Sequence, residues 1–211
     1  MDETIPLLRG VSHSWAVWFA AAGAIGLVVF AADATARVSA AIYGTGLIAL
    51  FAGSALYHRW RWDPRWRPLL RRIDHSTIFV FIAASYTPIG VLVLDGGLQV
   101  VVLVVVWTGA AAGVAFSLAW IDAPRWLQAG TYLGLGWVAI LGTPQMLERL
   151  SAAPMALLGA GGVLYTAGAV VYARRRPDPW PQTFGFHEVF HAFVIAAAAC
   201  HFVAMAGWVI A

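Results

Sequence analysis

His187 and His191 stand four residues apart in Phe186-His187-Glu188-Val189-Phe190-His191. On an α-helix that spacing puts both imidazoles on one face, about 40° apart around the axis and roughly 6 Å along it. Both rings can then reach one metal ion. The chain runs on apolar to Ala211, which places the pair inside a membrane, where ionisable groups are costly and mark function. Two further stretches bring polar groups. Ser54 and His58 are four apart near the end of Phe51-Ala52-Gly53-Ser54-Ala55-Leu56-Tyr57-His58, and Asp74 opens Asp74-His75-Ser76-Thr77. Three neutral histidines plus an open position describe a catalytic zinc site. The candidate zinc ligands are His58, His187 and His191. Asp74 is left as a hydrogen-bond acceptor for a ligand or as an acid/base group acting on water. Ser54, one turn above His58, is placed to donate a hydrogen bond to that water or to an oxyanion. Asp74 and Ser54 are therefore the candidate catalytic residues.

These groups need elements that deliver them to one depth. The chain has 211 residues, 61% hydrophobic and 11% charged, against about 25% charged for a soluble domain. It reads as an all-α integral membrane protein, a seven-transmembrane helix bundle forming one domain over residues 1–211. The expected spans are 14–32, 38–57, 73–94, 98–120, 126–147, 154–173 and 186–210. Each has about the twenty residues a bilayer needs, and no alternating barrel pattern competes. The single cysteine, Cys200, excludes an intramolecular disulfide and a Cys-rich zinc site. All thirteen basic residues are Arg and fall in short loops, which is no nucleic-acid signature. The partners expected are membrane lipids. The opening Met1-Asp2-Glu3-Thr4-Ile5-Pro6 lacks a basic n-region, so the first span is expected to stay in the mature protein.

Arginines orient the bundle. Arg9, Arg59, Arg61, Arg65, Arg67, Arg71, Arg72, Arg125, Arg174, Arg175 and Arg176 fall on the side of the N-terminus, and only Arg37 and Arg149 on the other. That asymmetry puts the N-terminus in the cytoplasm and the C-terminus outside, in the inner (plasma) membrane as a multi-pass protein. Ser54, His58, Asp74, His187 and His191 then converge at the inner border, a result the arginines alone did not presuppose. Of the other histidines, His13 has no evident pair. His75, about 100° around from Asp74, suits capping or headgroup contact. His201, roughly 15 Å deeper than His191, suits an interhelical hydrogen bond. Ser85, with Tyr86 and Thr87, either lines a cavity above the metal or bonds between helices. Pro88 and Pro144 are expected to kink the third and fifth helices. Gly109-x-x-x-Gly113 is packing or the face of a homo-oligomer.

His187-Glu188-x-x-His191 also matches the zincin pattern, in which Glu is the general base. An intramembrane protease would need a later Asp as third ligand. Asp95, in Leu94-Asp95-Gly96, lies at the outer end of the third span, roughly 30 Å away, and precedes the motif. It reads as an outer turn.

Taken together, Ser54-x-x-x-His58, Asp74-His75-Ser76 with Ser85-Tyr86-Thr87-Pro88, and His187-x-x-x-His191 with a downstream His201 resemble the bacterial hemolysin III proteins. These belong to the progestin and adipoQ receptor superfamily and are related to alkaline ceramidases. The resemblance covers nearly the whole chain. It implies zinc on His58, His187 and His191 with Ser54 and Asp74 close by, a role in membrane-lipid homeostasis, and a Glu188 that is not a base. A zinc-dependent lipid amide or ester hydrolase is the first functional expectation. A non-enzymatic membrane sensor with structural zinc is the second, and a channel or cytolysin the third. An occluded site favours structural metal, whereas a lipid-sized cavity reaching the metal favours hydrolysis.

The topology is testable at once. A reporter active only in the cytoplasm should be silent when fused after Ala211; activity there reverses the orientation and moves the site to the outer leaflet.

Overall fold

Eight α-helices follow one another in the computed structural model, which describes residues 6–210. They are α1 (Val11–Phe30), α2 (Ala34–Arg59), α3 (Arg67–Leu92), α4 (Gly96–Ala119), α5 (Arg125–Gly136), α6 (Ala139–Arg149), α7 (Ala152–Arg174) and α8 (Phe186–Ala204). A π-helical turn, Met205–Val209, extends α8. The opening stretch read above for a targeting signal, residues 1–5, lies outside the described residues, as does residue 211. Six helices are long and apolar enough to cross a membrane: α1, α2, α3, α4, α7, and α8 with its π turn. Trp15, Trp18, Phe19, Phe30 and Val163 point outward, more than half exposed. Such a surface suits lipid, because hydrocarbon imposes no cost on apolar groups facing it.

The fifth expected span is not one helix. It is broken between Gly136 and Ala139 into α5 and α6. The break lies upstream of Pro144, which sits inside α6. Around Trp137 and Val138 the ladder tightens, with Ile140 N–H on Trp137 C=O at 3.1 Å and Leu141 N–H on Val138 C=O at 3.0 Å. That strands backbone groups at a depth where no water competes to satisfy them. Tyr86 of α3 repairs the gap. Its hydroxyl donates to the Gly136 carbonyl and accepts from the Ala139 N–H. The two halves together still run the length of α3. Tyr132 packs at a tilt against Phe79, Gly142 lies by Leu94, and Gln145 bonds Asp95. Pro88, by contrast, is carried inside a continuous α3.

Asp95 flanks the start of α4 and pairs with Arg149, past the end of α3 opposite Asp74. Gly109 and Gly113 face inward. A Cβ on Gly109 would sit 2.6 Å from Leu135 Cδ1, and one on Gly113 2.2 Å from the Phe79 ring. This pair is internal packing rather than a dimer face. Small residues here let α4 close on α3 and α5, where dispersion replaces the missing hydrophobic drive.

Gly113→Ala should therefore lower the melting temperature in detergent, since overpacking costs about 1–3 kcal/mol. Gly134→Ala, where nothing lies within 4 Å of an added Cβ, should leave melting unchanged or raise it. Equal melting of both variants counts against this packing.

Candidate metal centre

His58 ends the last turn of α2, and His187 and His191 lie in the first two turns of α8, all at the arginine-rich end of the bundle. Each of the three offers a ring nitrogen, and these atoms lie within 4.8 Å of one another. His58 Nε2 and His187 Nε2 are 3.1 Å apart. Two ligands of a tetrahedral zinc at about 2.0–2.1 Å stand roughly 3.3 Å from each other. The observed approach of two like nitrogens matches that edge. The donor set is three imidazoles without a thiol, with one carboxylate adjacent, and suits a borderline metal such as zinc. The cluster can hold a metal ion.

Asp74 settles into one of its two expected places. Its Oδ2 is 3.4 Å from His58 Nε2, the same nitrogen that faces His187. The carboxylate therefore borders the space between the imidazoles; it does not sit behind His58 on Nδ1. Ser54 Oγ lies 3.5 Å from His191 Nε2. All five candidate residues are thus brought together by α2, α3 and α8.

His13 is the residue the sequence reading missed. It lies on α1, 2% exposed, with Nδ1 2.8 Å from Ser54 Oγ. Its ring stacks on that of His191, centroids 3.8 Å apart and 13° from parallel. It has a pair after all, and two of them. The available signal was an ionisable group in the first span at the same end as the cluster. His75 also departs from expectation. It is buried, and its Nδ1 lies 3.2 Å from Tyr132 Oη, so it neither caps a helix nor meets headgroups. His201 bonds the Leu158 carbonyl of α7 at 3.2 Å, the interhelical hydrogen bond expected of it. Thr87 accepts from Trp107 Nε1 instead of lining the cavity.

Glu188 is withdrawn from chemistry by its neighbours. It is 2% exposed, its Oε1 takes Arg9 Nε at 2.5 Å and its Oε2 accepts the Gly185 N–H at 2.8 Å. The carboxylate closes the N-terminus of α8, where negative charge is favoured. Leu7 N–H on Gln182 C=O and Leu8 N–H on Thr183 C=O bind the residues just before α1, Arg9 among them, as a strap across the α7–α8 loop.

Above the histidines a cavity of about 370 Å³ opens between α3, α5, α6, α7 and α8. His13, Ser54, Asp74, His187 and His191 form one end of its lining. Ser85 and Tyr86 also line it, although Ser85 spends its hydroxyl on the Ile82 carbonyl of its own helix. The remaining wall is mostly apolar, with Ile78, Ile82, Ile89, Met155 and Leu158 among it. At the break between α5 and α6 the lining residues Trp137 and Ile140 are 44% and 61% exposed. There the cavity wall is made by side chains that also face the lipid-side surface, and Trp137 Nε1 donates to Thr166 Oγ1 of α7.

Comparison with known proteins agrees with this architecture. The family described as Haemolysin-III related matches residues 2–202. The chain belongs to that family. It is 31% identical to the "Hemolysin-3 homolog" of Bacillus subtilis, over 93% of this chain and 90% of that one. It is 28% identical to the human "Monocyte to macrophage differentiation factor", over 92% of this chain and 80% of the relative. A Drosophila melanogaster "Adiponectin receptor protein" matches at 33% over 37% of this chain and 20% of its own length. The family thus extends to the progestin and adipoQ receptor relatives that the three motifs indicated.

His187→Ala should lose most of the metal from protein purified without added zinc, because two imidazoles make a poor zinc site. His201→Ala, engaged with Leu158, should keep it. Elemental analysis of both decides; full retention in His187→Ala removes the assignment.

Proposed function

We propose that this haemolysin III-family protein is a zinc-dependent hydrolase of a lipid amide or ester, acting in membrane-lipid homeostasis at the inner border of the plasma membrane. The observation that carries the reading is the cavity. It is mostly apolar, ends on His187 and His191, and at Trp137 and Ile140 shares its wall with the lipid-facing surface. A structural metal needs no such cavity. A lipid hydrolase needs an apolar slot for the chains and a polar end for the bond to be cut.

Zinc held by His58, His187 and His191 would supply a Lewis acid for the substrate carbonyl and make water acidic near neutral pH. The chain supplies the rest. The three imidazoles stay neutral, since only the unprotonated ring nitrogen can ligate. Asp74 Oδ2, bordering the same space, takes the proton from the attacking water and returns it to the departing amine or alcohol. Ser54 donates its hydroxyl proton to the oxygen on which charge develops. The apolar wall aligns the chains and keeps bulk water away, which strengthens each of these interactions. The arginine-rich end bearing the site belongs in the cytoplasm by the charge asymmetry of the loops.

Asp74→Asn keeps size and hydrogen bonding but removes the proton acceptor, and should cost about 10²–10⁴-fold in rate. Ser54→Ala should cost about 10²–10³-fold. Both should still fold and bind zinc. The measurement is fatty acid release from labelled lipids beside metal content, for wild type and both variants. A folded, zinc-loaded wild type that releases nothing above the Asp74→Asn background gives way to the sensor reading.

A further inference from the structure

We infer that His13 is a positioning residue of the metal centre, holding the ring of His191 by stacking and aiming the hydroxyl of Ser54 by a hydrogen bond. This rests on the reading of His58, His187 and His191 as metal ligands.

A ligating histidine is usually fixed by its other ring nitrogen, which donates to a carboxylate, a carbonyl or water. His191 lacks that support. Its Nδ1 is buried, and among the described residues nothing hydrogen-bonds to it. Its ring must be oriented by something else. His13 lies against its face at 3.8 Å, 13° from parallel. Phe51 packs edge-on to His13 at 5.1 Å. His191 thus takes its plane from an aromatic stack where ligands elsewhere take it from a hydrogen bond.

The second function follows from the tautomer. His13 Nδ1 lies 2.8 Å from Ser54 Oγ, and His13 Nε2 is buried without a partner among the described residues. If Nδ1 accepted the proton of Ser54, Nε2 would carry a buried N–H that makes no hydrogen bond of good geometry among the described residues. Orphaned buried N–H groups are rarer than orphaned acceptors. We therefore assign the proton to Nδ1, which donates to Ser54 Oγ and leaves only a bare lone pair on Nε2. His191 Nε2, 3.5 Å away, has its lone pair committed to the metal and cannot accept either. The hydroxyl proton of Ser54 is then free to point into the cavity, at the oxygen it must stabilise. With His13 the first helix enters the site, and the ion pair of Arg9 with Glu188 ties the segment just before that helix to the start of α8.

Three substitutions separate the two functions. His13→Phe keeps a ring on His191 and loses the bond to Ser54. His13→Asn keeps an N–H close to the Nδ1 position and loses the stack. His13→Ala loses both. The full-length chain is purified in detergent and loaded with zinc or with cobalt as a spectroscopic substitute. Metal release to a chelator, the visible bands of the cobalt protein and lipid hydrolysis are then measured. His13→Ala and His13→Asn should lose affinity for metal by about 10–100-fold, the usual effect of removing a ligand's support, and shift the cobalt bands. His13→Phe should hold metal as wild type does, yet fall to the rate of Ser54→Ala, while His13→Asn retains more turnover per bound metal. A crossed pattern of this kind is not what a merely loosened fold produces. Release rates and cobalt bands need no substrate, so they decide the stacking role even for a protein without turnover. Metal-loaded wild type and His13→Ala with identical bands and release rates overturn the inference and leave the metal site standing. A wild type that binds no metal overturns both.

Discussion

A polar side chain inside hydrocarbon has no solvent to fall back on, and the histidine end of this bundle is built around that constraint. His13, Ser54, His58, Asp74, His187 and His191 come from four helices and lie against one another. His13 meets Ser54 at 2.8 Å, Ser54 meets His191 at 3.5 Å, His58 meets His187 at 3.1 Å and Asp74 at 3.4 Å. Each unpaired member would cost about 1–3 kcal/mol, more if charged. The register of α1, α2, α3 and α8 is therefore coupled at this end. Elsewhere small residues do the work by letting helices close, as Gly113 does against Phe79.

The same constraint governs the break between α5 and α6. Irregular backbone at membrane depth survives where protein satisfies it or where it lines a cavity. Here both hold. Tyr86 answers the stranded Gly136 carbonyl and Ala139 amide, and its side chain forms part of the cavity wall. The interruption of the helix, the exposed cavity wall at Trp137 and Ile140 and the tyrosine that bonds the freed backbone groups form one feature. An uninterrupted fifth helix would need no hydroxyl from α3 at that level.

Glu188 shows how far a motif carries. Within His187-Glu188-x-x-His191 its position fits a general base. The first turn of α8 instead points it at Arg9 and the Gly185 amide, away from the cavity. The two histidines keep their part of the motif because i,i+4 neighbours share a face whatever surrounds them. The residue between them takes its role from whatever lies opposite, here a strap more than 170 residues away in sequence.

What the sequence determined by itself are the quantities that local rules set. Apolar length gave six of the seven spans as helices, and i,i+4 spacing put His187 and His191 on one face. The ends of the spans brought Ser54, His58 and Asp74 to the same depth, and the motifs indicated the family. Depth along the membrane is one-dimensional and can be counted in residues. Rotation of a helix about its axis cannot, because it is chosen by packing against neighbours far away in sequence. That rotation is what the tertiary structure decided. It turned His13 onto His191, set Asp74 on the side of His58 that faces His187, buried His75 against Tyr132 and aimed Gly109 and Gly113 inward. It also located the break in the fifth span, upstream of Pro144, where a hydroxyl supplied by α3 meets the freed backbone groups.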